Sequence, residues 1–296
     1  MKRLASLLLV IGLALLVYSC SDLPPTAGPT AQDESQMMTV RPNFIDQRPP
    51  VEVQAAVMGP SSVFWNNLDK KPPKPPPDTG SSDPNPNPAH KYAYIVGISD
   101  YEGTVNDLEY PDDDAQAMRN FLQGEGFTTR VDLNRNATAD AITAGLQWLI
   151  DQAQPGDEIA FCYSGHGGKA PGYGSSIIST DLYYVTHGYV MQYFNAVDCS
   201  KKLMTLDCCV IGDFKQDCEN GTMMALASNK TDSYDVPAFQ HGAWTYFWLE
   251  GVNDLNYVFA EDAATYAEAE MTAWARPYHL RVSPTHSDKY SGMFDM

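Results

Sequence analysis

Basic residues are scarce in this chain. Lysine and arginine number 19 against 37 aspartates and glutamates, giving a formal net charge of −18. A partner that grips phosphate backbones needs a basic face, so this balance argues against nucleic acid. Acidity of that size suits the steering of cationic substrates, and it suits plain solubility equally well. Long apolar runs are also lacking. Leu4–Val17 is apolar but stops short of the roughly 20 residues that a comfortable membrane span needs. The six cysteines include no Cys-x-x-Cys pair, and adjacent Cys208-Cys209 has the wrong spacing for a structural zinc site, so no metal is expected. No Gly-x-Ser-x-Gly elbow surrounds Ser164, which removes the usual setting of a serine hydrolase.

What is present begins with a processing signal. Lys2 and Arg3 give a charged start, Leu4–Val17 a short apolar core, and Val17-Tyr18-Ser19-Cys20 an ending that resembles a bacterial lipobox. Residues 1–19 are expected to be removed and Cys20 lipidated, which would hold the protein on a membrane surface of the bacterial envelope. Ser21, rather than aspartate, resembles the outer-membrane sorting signal if the host is Gram-negative. An ordinary cleaved signal peptide is the plainer alternative. Residues 20–90 read as a tether, since 15 of the 21 prolines lie between Pro24 and Pro88 and runs such as Lys71–Pro77 favour extended polyproline geometry. Val51–Met58 and Val63-Phe64-Trp65 are its apolar exceptions. With Cys20 set aside, five cysteines remain, Cys162, Cys199, Cys208, Cys209 and Cys218. The number is odd, so within one chain at least one thiol stays unpaired. A Cys199–Cys218 disulfide is open to an extracytoplasmic protein.

Residues 91–296 alternate strand and helix signals and are long enough for one substantial core. Strands are expected at Tyr92–Ile98, Phe127–Leu133, Glu158–Tyr163, Lys202–Leu206 and Thr222–Ala227. Helices are expected at Asp112–Gln123, Thr138–Gln152, Gly242–Glu250 and Ala260–Ala275. Asp112, Asp113 and Asp114 suit a helix start, and Thr138 can cap the second helix. Such alternation predicts an α/β fold with a mainly parallel sheet and helices on both faces.

Two strand ends carry chemistry. Tyr163-Ser164-Gly165-His166-Gly167 follows one apolar run, and Leu206-Asp207-Cys208-Cys209-Val210-Ile211-Gly212 follows another, 43 positions later. Parallel strands bring their carboxyl ends to one edge, where open α/β folds place their sites. A thiol and an imidazole meeting there could act as nucleophile and general acid–base. From about Lys91 onward the chain resembles the caspase/metacaspase superfamily of cysteine peptidases. Lys91–Gly97 with Asp100-Tyr101 resembles the opening strand, Leu108–Met118 the following segment, Ser164-Gly165-His166-Gly167 the Ser-Gly-His-Gly motif, and Asp207–Gly212 the cysteine motif. The resemblance implies a caspase-hemoglobinase fold and a cysteine endopeptidase acting on protein or peptide substrates. It implies Cys209 as nucleophile and His166 as acid–base, with the amides of Gly167 and Cys209 as oxyanion hole. Gly212 stands three residues after Cys209, as the motif requires, and Cys208 would face packing by strand alternation. Asp207 and Asp114 match the aspartates that select Arg or Lys at P1 in metacaspases. His90, His187, His241, His279 and His286 lack a comparable setting.

Two departures bear on activity. Val210-Ile211 replaces the usual His-Ser after the nucleophile, which keeps open a catalytically silent caspase-like module that binds partners at the envelope. No cofactor is implied as a requirement. Of the aspartate cluster in calcium-dependent metacaspases, Asp181 matches one member, while Thr186-His187-Gly188 stands where a paired aspartate is expected, so a calcium site lacks its full oxygen donor set.

Overall fold

A computed structural model describes residues 83–296. Residues 1–19, expected to form a signal segment, Cys20, the apolar stretches Val51–Met58 and Val63-Phe64-Trp65, and the expected tether up to residue 82 lie outside the described residues. Among those described, no helix is long and apolar enough to cross a membrane.

Six strands form the central sheet: β1 (Lys91–Gly97), β2 (Thr128–Leu133), β3 (Glu158–Ser164), β7 (Lys201–Asp207), β8 (Thr222–Leu226) and β11 (Thr285–Asp288). Their order is β11-β8-β7-β3-β1-β2. Every pairing is parallel except β8 with β11. Side chains alternate between faces at the period of two that a strand imposes. Ala93 and Ile95 of β1 join one core cluster, and Tyr94 and Val96 join the other. The first cluster is closed by α1 (Pro111–Gly124), α4 (Ala243–Leu249) and α5 (Ala260–Ala275), the second by α2 (Ala139–Gln152) and α3 (His187–Ala196). Buried strands flanked on both faces are the rule for parallel sheets. The fold is the caspase-hemoglobinase fold, as expected.

Element boundaries follow local chemistry. Pro111 opens α1, with Asp112, Asp113 and Asp114 in its first turn. The Thr138 side chain accepts from Ala141 N and caps α2. Seven elements go beyond those expected from the sequence: β4 (Gly167–Ala170), β5 (Gly174–Ile178) and β6 (Tyr184–Thr186) of an antiparallel sheet, helix α3, the hairpin of β9 (Asp235–Val236) and β10 (His241–Gly242), and edge strand β11.

The segment expected to end the tether is part of the domain. Lys201, at the start of β7, is 1% exposed. Its ammonium lies 3.0 Å from Asp83 Oδ2 and 3.3 Å from Glu158 Oε2. Asp83 also accepts hydrogen bonds from Tyr290 Oη and from Asp295 N. A buried ammonium needs counter-charge, and the last residues before Lys91 supply it. Asp83–His90 thus docks on the domain.

Candidate active site

Strand register brings the two motifs together. Ser164 pairs with Asp207 at the ends of β3 and β7, and Gly165 N donates to Asp207 O. His166 and Cys209 each stand two residues beyond that last pair. Gly165 holds φ +154°, and a Cβ there would meet Tyr101 Oη at 2.7 Å, so the turn needs glycine. At Gly167 a Cβ would lie 2.2 Å from Cys209 O and 2.9 Å from Cys209 N. The backbones following the histidine and carrying the cysteine are thus in direct contact, an approach only glycine allows.

The imidazole is fixed on two sides. His166 is 1% exposed, and its Nε2 lies 2.7 Å from Asn106 O. A carbonyl can only accept, so Nε2 carries the hydrogen and Nδ1 is the proton-accepting nitrogen. His166 N donates to Tyr101 Oη, and the two rings stand 4.7 Å apart between centroids. Tyr101 and Asn106 thus position the histidine. Tyr101 was visible in the sequence only as part of the opening-strand resemblance, and Asn106 acts through its backbone, which no side-chain motif records.

Cys209 is 8% exposed. Its sulfur accepts from Ser233 N at 3.2 Å. Cys208 is 1% exposed and belongs to the core cluster that holds Tyr163, Leu206 and Ile211. The chain therefore turns the two thiols to different surroundings, as alternation predicts. Ile211 is fully buried in that same core. Val210 takes φ +48°, an unusual conformation for a β-branched residue. It is held there by Val210 N donating to Thr231 O and by Ser175 Oγ donating to Val210 O.

Asp114 and Asp207 converge beside these residues, although 93 positions separate them in the chain. Both are buried. A Cβ at Gly242 would meet Asp207 Oδ2 at 2.3 Å and Asp114 Oδ2 at 2.9 Å, so both carboxylates abut one glycine. Asp207 accepts from Thr245 N and Thr245 Oγ1, each at 2.9 Å, and from Ser233 Oγ at 2.5 Å. Burial, followed by the charge of Asp114, pushes the Asp207 carboxyl up to about 6. Burial also raises Asp114. Asp114 accepts from Ser164 Oγ at 2.7 Å and from Gly242 N at 3.2 Å. It also accepts from His241 Nδ1 at 2.7 Å. His241 was read from the sequence as a histidine without a site. Nothing local to it signals a partner 127 residues away.

The remaining sequence candidates lie elsewhere. Asp181 accepts from Ala139 N at the start of α2, and His187 Nδ1 pairs with Asp217. Among the described residues no group of three or more His, Cys, Asp and Glu side chains could hold a metal ion. Cys199 and Cys218 are free thiols.

The family model described as "Caspase domain" matches residues 90–279. The chain belongs to the caspase-domain family. Among similar proteins is Metacaspase-1 of Mycosarcoma maydis, 35% identical over 106 residues, covering 30% of this chain and 26% of that protein. Metacaspase-1 of Lodderomyces elongisporus is 38% identical over 88 residues, covering 27% of this chain and 19% of that protein. The matches thus span about a quarter or less of those relatives. Caspase-1 from Spodoptera frugiperda shares the fold with a TM-score of 0.55 at 14% identity, covering 71% of this chain and 92% of that one. A Geobacter sulfurreducens protein of known structure gives 0.55 at 15% identity, with 68% and 94% covered.

Proposed function

We propose that this caspase-domain protein is a cysteine endopeptidase that cleaves after arginine or lysine. The observation that supports the reading is the β3–β7 register, which ends the two motif-bearing strands level, with Gly167 packed on the cysteine backbone. Cys209 gives its proton to His166 Nδ1, and the thiolate attacks the scissile carbonyl carbon. The amides of Gly167 and Cys209 stabilise the oxyanion. His166 returns the proton to the leaving amine as the C–N bond breaks. Water, deprotonated by the same imidazole, then hydrolyses the thioester and releases the thiol. Asp207 and Asp114 supply the negative charge for a basic P1 side chain, by charge-assisted hydrogen bonds in a buried setting. Ile211 is buried in the core, so the second position of this departure takes no polar group out of the pocket, which supports an active enzyme over a silent module.

The test is hydrolysis of arginyl and lysyl peptides by the protein and by Cys209→Ala, His166→Ala and Cys208→Ala. Turnover should vanish in the first two and largely persist in the third. Full activity in Cys209→Ala would remove the assignment, and a wild-type preference for Asp at P1 would remove the pocket. The same reading includes an envelope anchor through Cys20, supported by the lipobox-like ending. Mass spectrometry of the native N-terminal peptide checks it, and an unmodified Cys20 would refute it.

A further inference from the structure

Asp114 already has an imidazole as a resident partner. A carboxylate offers about four lone-pair positions. Asp114 fills them with Ser164 Oγ, His241 Nδ1 and Gly242 N, the last shared between both oxygens. Ser164 and Gly242 are buried, whereas the His241 side chain keeps 24% of its surface exposed. The ring is therefore the one partner of Asp114 that stands at the rim, and the one that can swing into solvent without breaking a strand. On the far side of the carboxylates the interior offers no alternative. The cavity between Asp114, Asp207, Ser164 and Trp248 holds about 10 Å³, the room of one water. A guanidinium or ammonium reaching Asp114 must come from the His241 side.

We propose that His241 is a specificity-determining residue that occupies the P1 cation's place on Asp114 and must be displaced by a basic substrate. The inference rests on the basic-P1 reading given above. The groups around the ring all favour a cation there. Asp113 and Asp114 face it from α1 and Asp207 from β7, while Asp235 on β9 acts on Asp114. The hydrogen bond to Asp114 raises the imidazole above its ordinary range. As imidazolium, His241 competes with the substrate by charge. As neutral imidazole it competes only as a hydrogen-bond donor, which is weaker. The pocket therefore discriminates for basic P1 most strongly once His241 has lost its proton. Loss of the Asp207 proton works in the same direction and remains when His241 is replaced.

The experiment compares an arginyl peptide with its citrullinyl counterpart, which keeps the shape and lacks the charge. The ratio of their kcat/KM values cancels titration of the Cys209–His166 pair. In the wild type this ratio should rise with pH. In His241→Gln, which keeps a donor and loses the charge, the ratio at about pH 6 should exceed the wild-type ratio by roughly three- to tenfold and converge with it at about pH 9. An unchanged or lower ratio at the acidic end overturns the inference and leaves the basic-P1 reading standing. A wild type that does not prefer arginine over citrulline at any pH overturns both. Should His241→Gln fold poorly, binding of agmatine to the wild type gives the second readout. Displacement predicts a shift and pH-dependent change of the His241 imidazole resonances on binding, and resonances that do not move when agmatine saturates the pocket refute it.

Discussion

At the scale of the residue, the buried carboxylates cost stability in exchange for charge. Asp207 binds a proton more tightly in the folded protein, at about 6, than a free aspartate at 3.8. The sign follows from linkage. A carboxyl whose folded value is raised contributes stability that is fully present below its unfolded value and is lost as pH rises through the folded one. Asp207 thus weakens the fold progressively between about pH 4 and pH 6 and by a constant amount above, on the order of 3 kcal/mol. Asp207→Asn keeps an oxygen for Thr245, and its amide can donate to the Ser233 hydroxyl. The expected result is a melting temperature close to wild type near pH 4 and several degrees higher at pH 8, with arginyl hydrolysis strongly reduced. Thermal melts across that range check it. A variant less stable than wild type at pH 8 would mean that the hydrogen bonds outweigh the burial.

At the scale of the element, α3 is held by a neighbour's lysine. Lys202 of β7 donates to Phe194 O, Asn195 O and Val197 O at the end of α3, of which Phe194 O and Val197 O also accept from Val197 N and Cys199 N. Lys202→Met keeps the stem, removes the donor shared by all three and leaves Asn195 O without the ammonium. We expect a loss of about 2 kcal/mol, read as a lower denaturant midpoint with unchanged slope. The same helix shows why part of the fold was not legible in the sequence. His187–Ala196 buries Tyr189, Val190, Tyr193 and Phe194 in the second core cluster, but it is only ten residues long and its ends are fixed by a Thr186 cap and a distant ammonium. β4 and β11 are four residues each, Gly167–Ala170 and Thr285–Asp288, with little apolar content to reveal them. β1, β3, β7 and β8 were legible because each is largely buried on both faces and carries a mainly apolar run. The two motifs of the site were legible for a related reason, since each follows such a strand. Asp114 and His241 differ. Three consecutive aspartates share the start of α1, and only the fold separates Asp112, bonded to Ser99 and Asn134, from Asp114 beside Asp207.

At the scale of the whole molecule, the two edges of the sheet do different work. Lys91, Glu158 and Lys201 stand level at one edge, and Gly97, Ser164 and Asp207 stand level at the other. The first edge carries the clasp of Lys201, Asp83 and Glu158, the second the motifs of the site. A protein shortened to begin at Lys91 retains every motif residue and loses Asp83. Removing one partner of a buried ion pair strands the other, and we expect destabilisation of about 3 kcal/mol relative to a protein beginning at Asp83. Chemical denaturation of the two checks this, and equal midpoints would show that Glu158 alone suffices for Lys201. The clasp also decides how the domain bears load. The chain preceding Asp83 enters where Asp83 is bonded to Tyr290 and Asp295, close to the C-terminus. Tension drawn along that chain is taken up between the two ends of the polypeptide. It acts at the sheet edge roughly 20 Å from His166 and Cys209, at about 3.3 Å per strand residue. A pull from outside strains the clasp first and leaves the alignment of thiol and imidazole mechanically quiet.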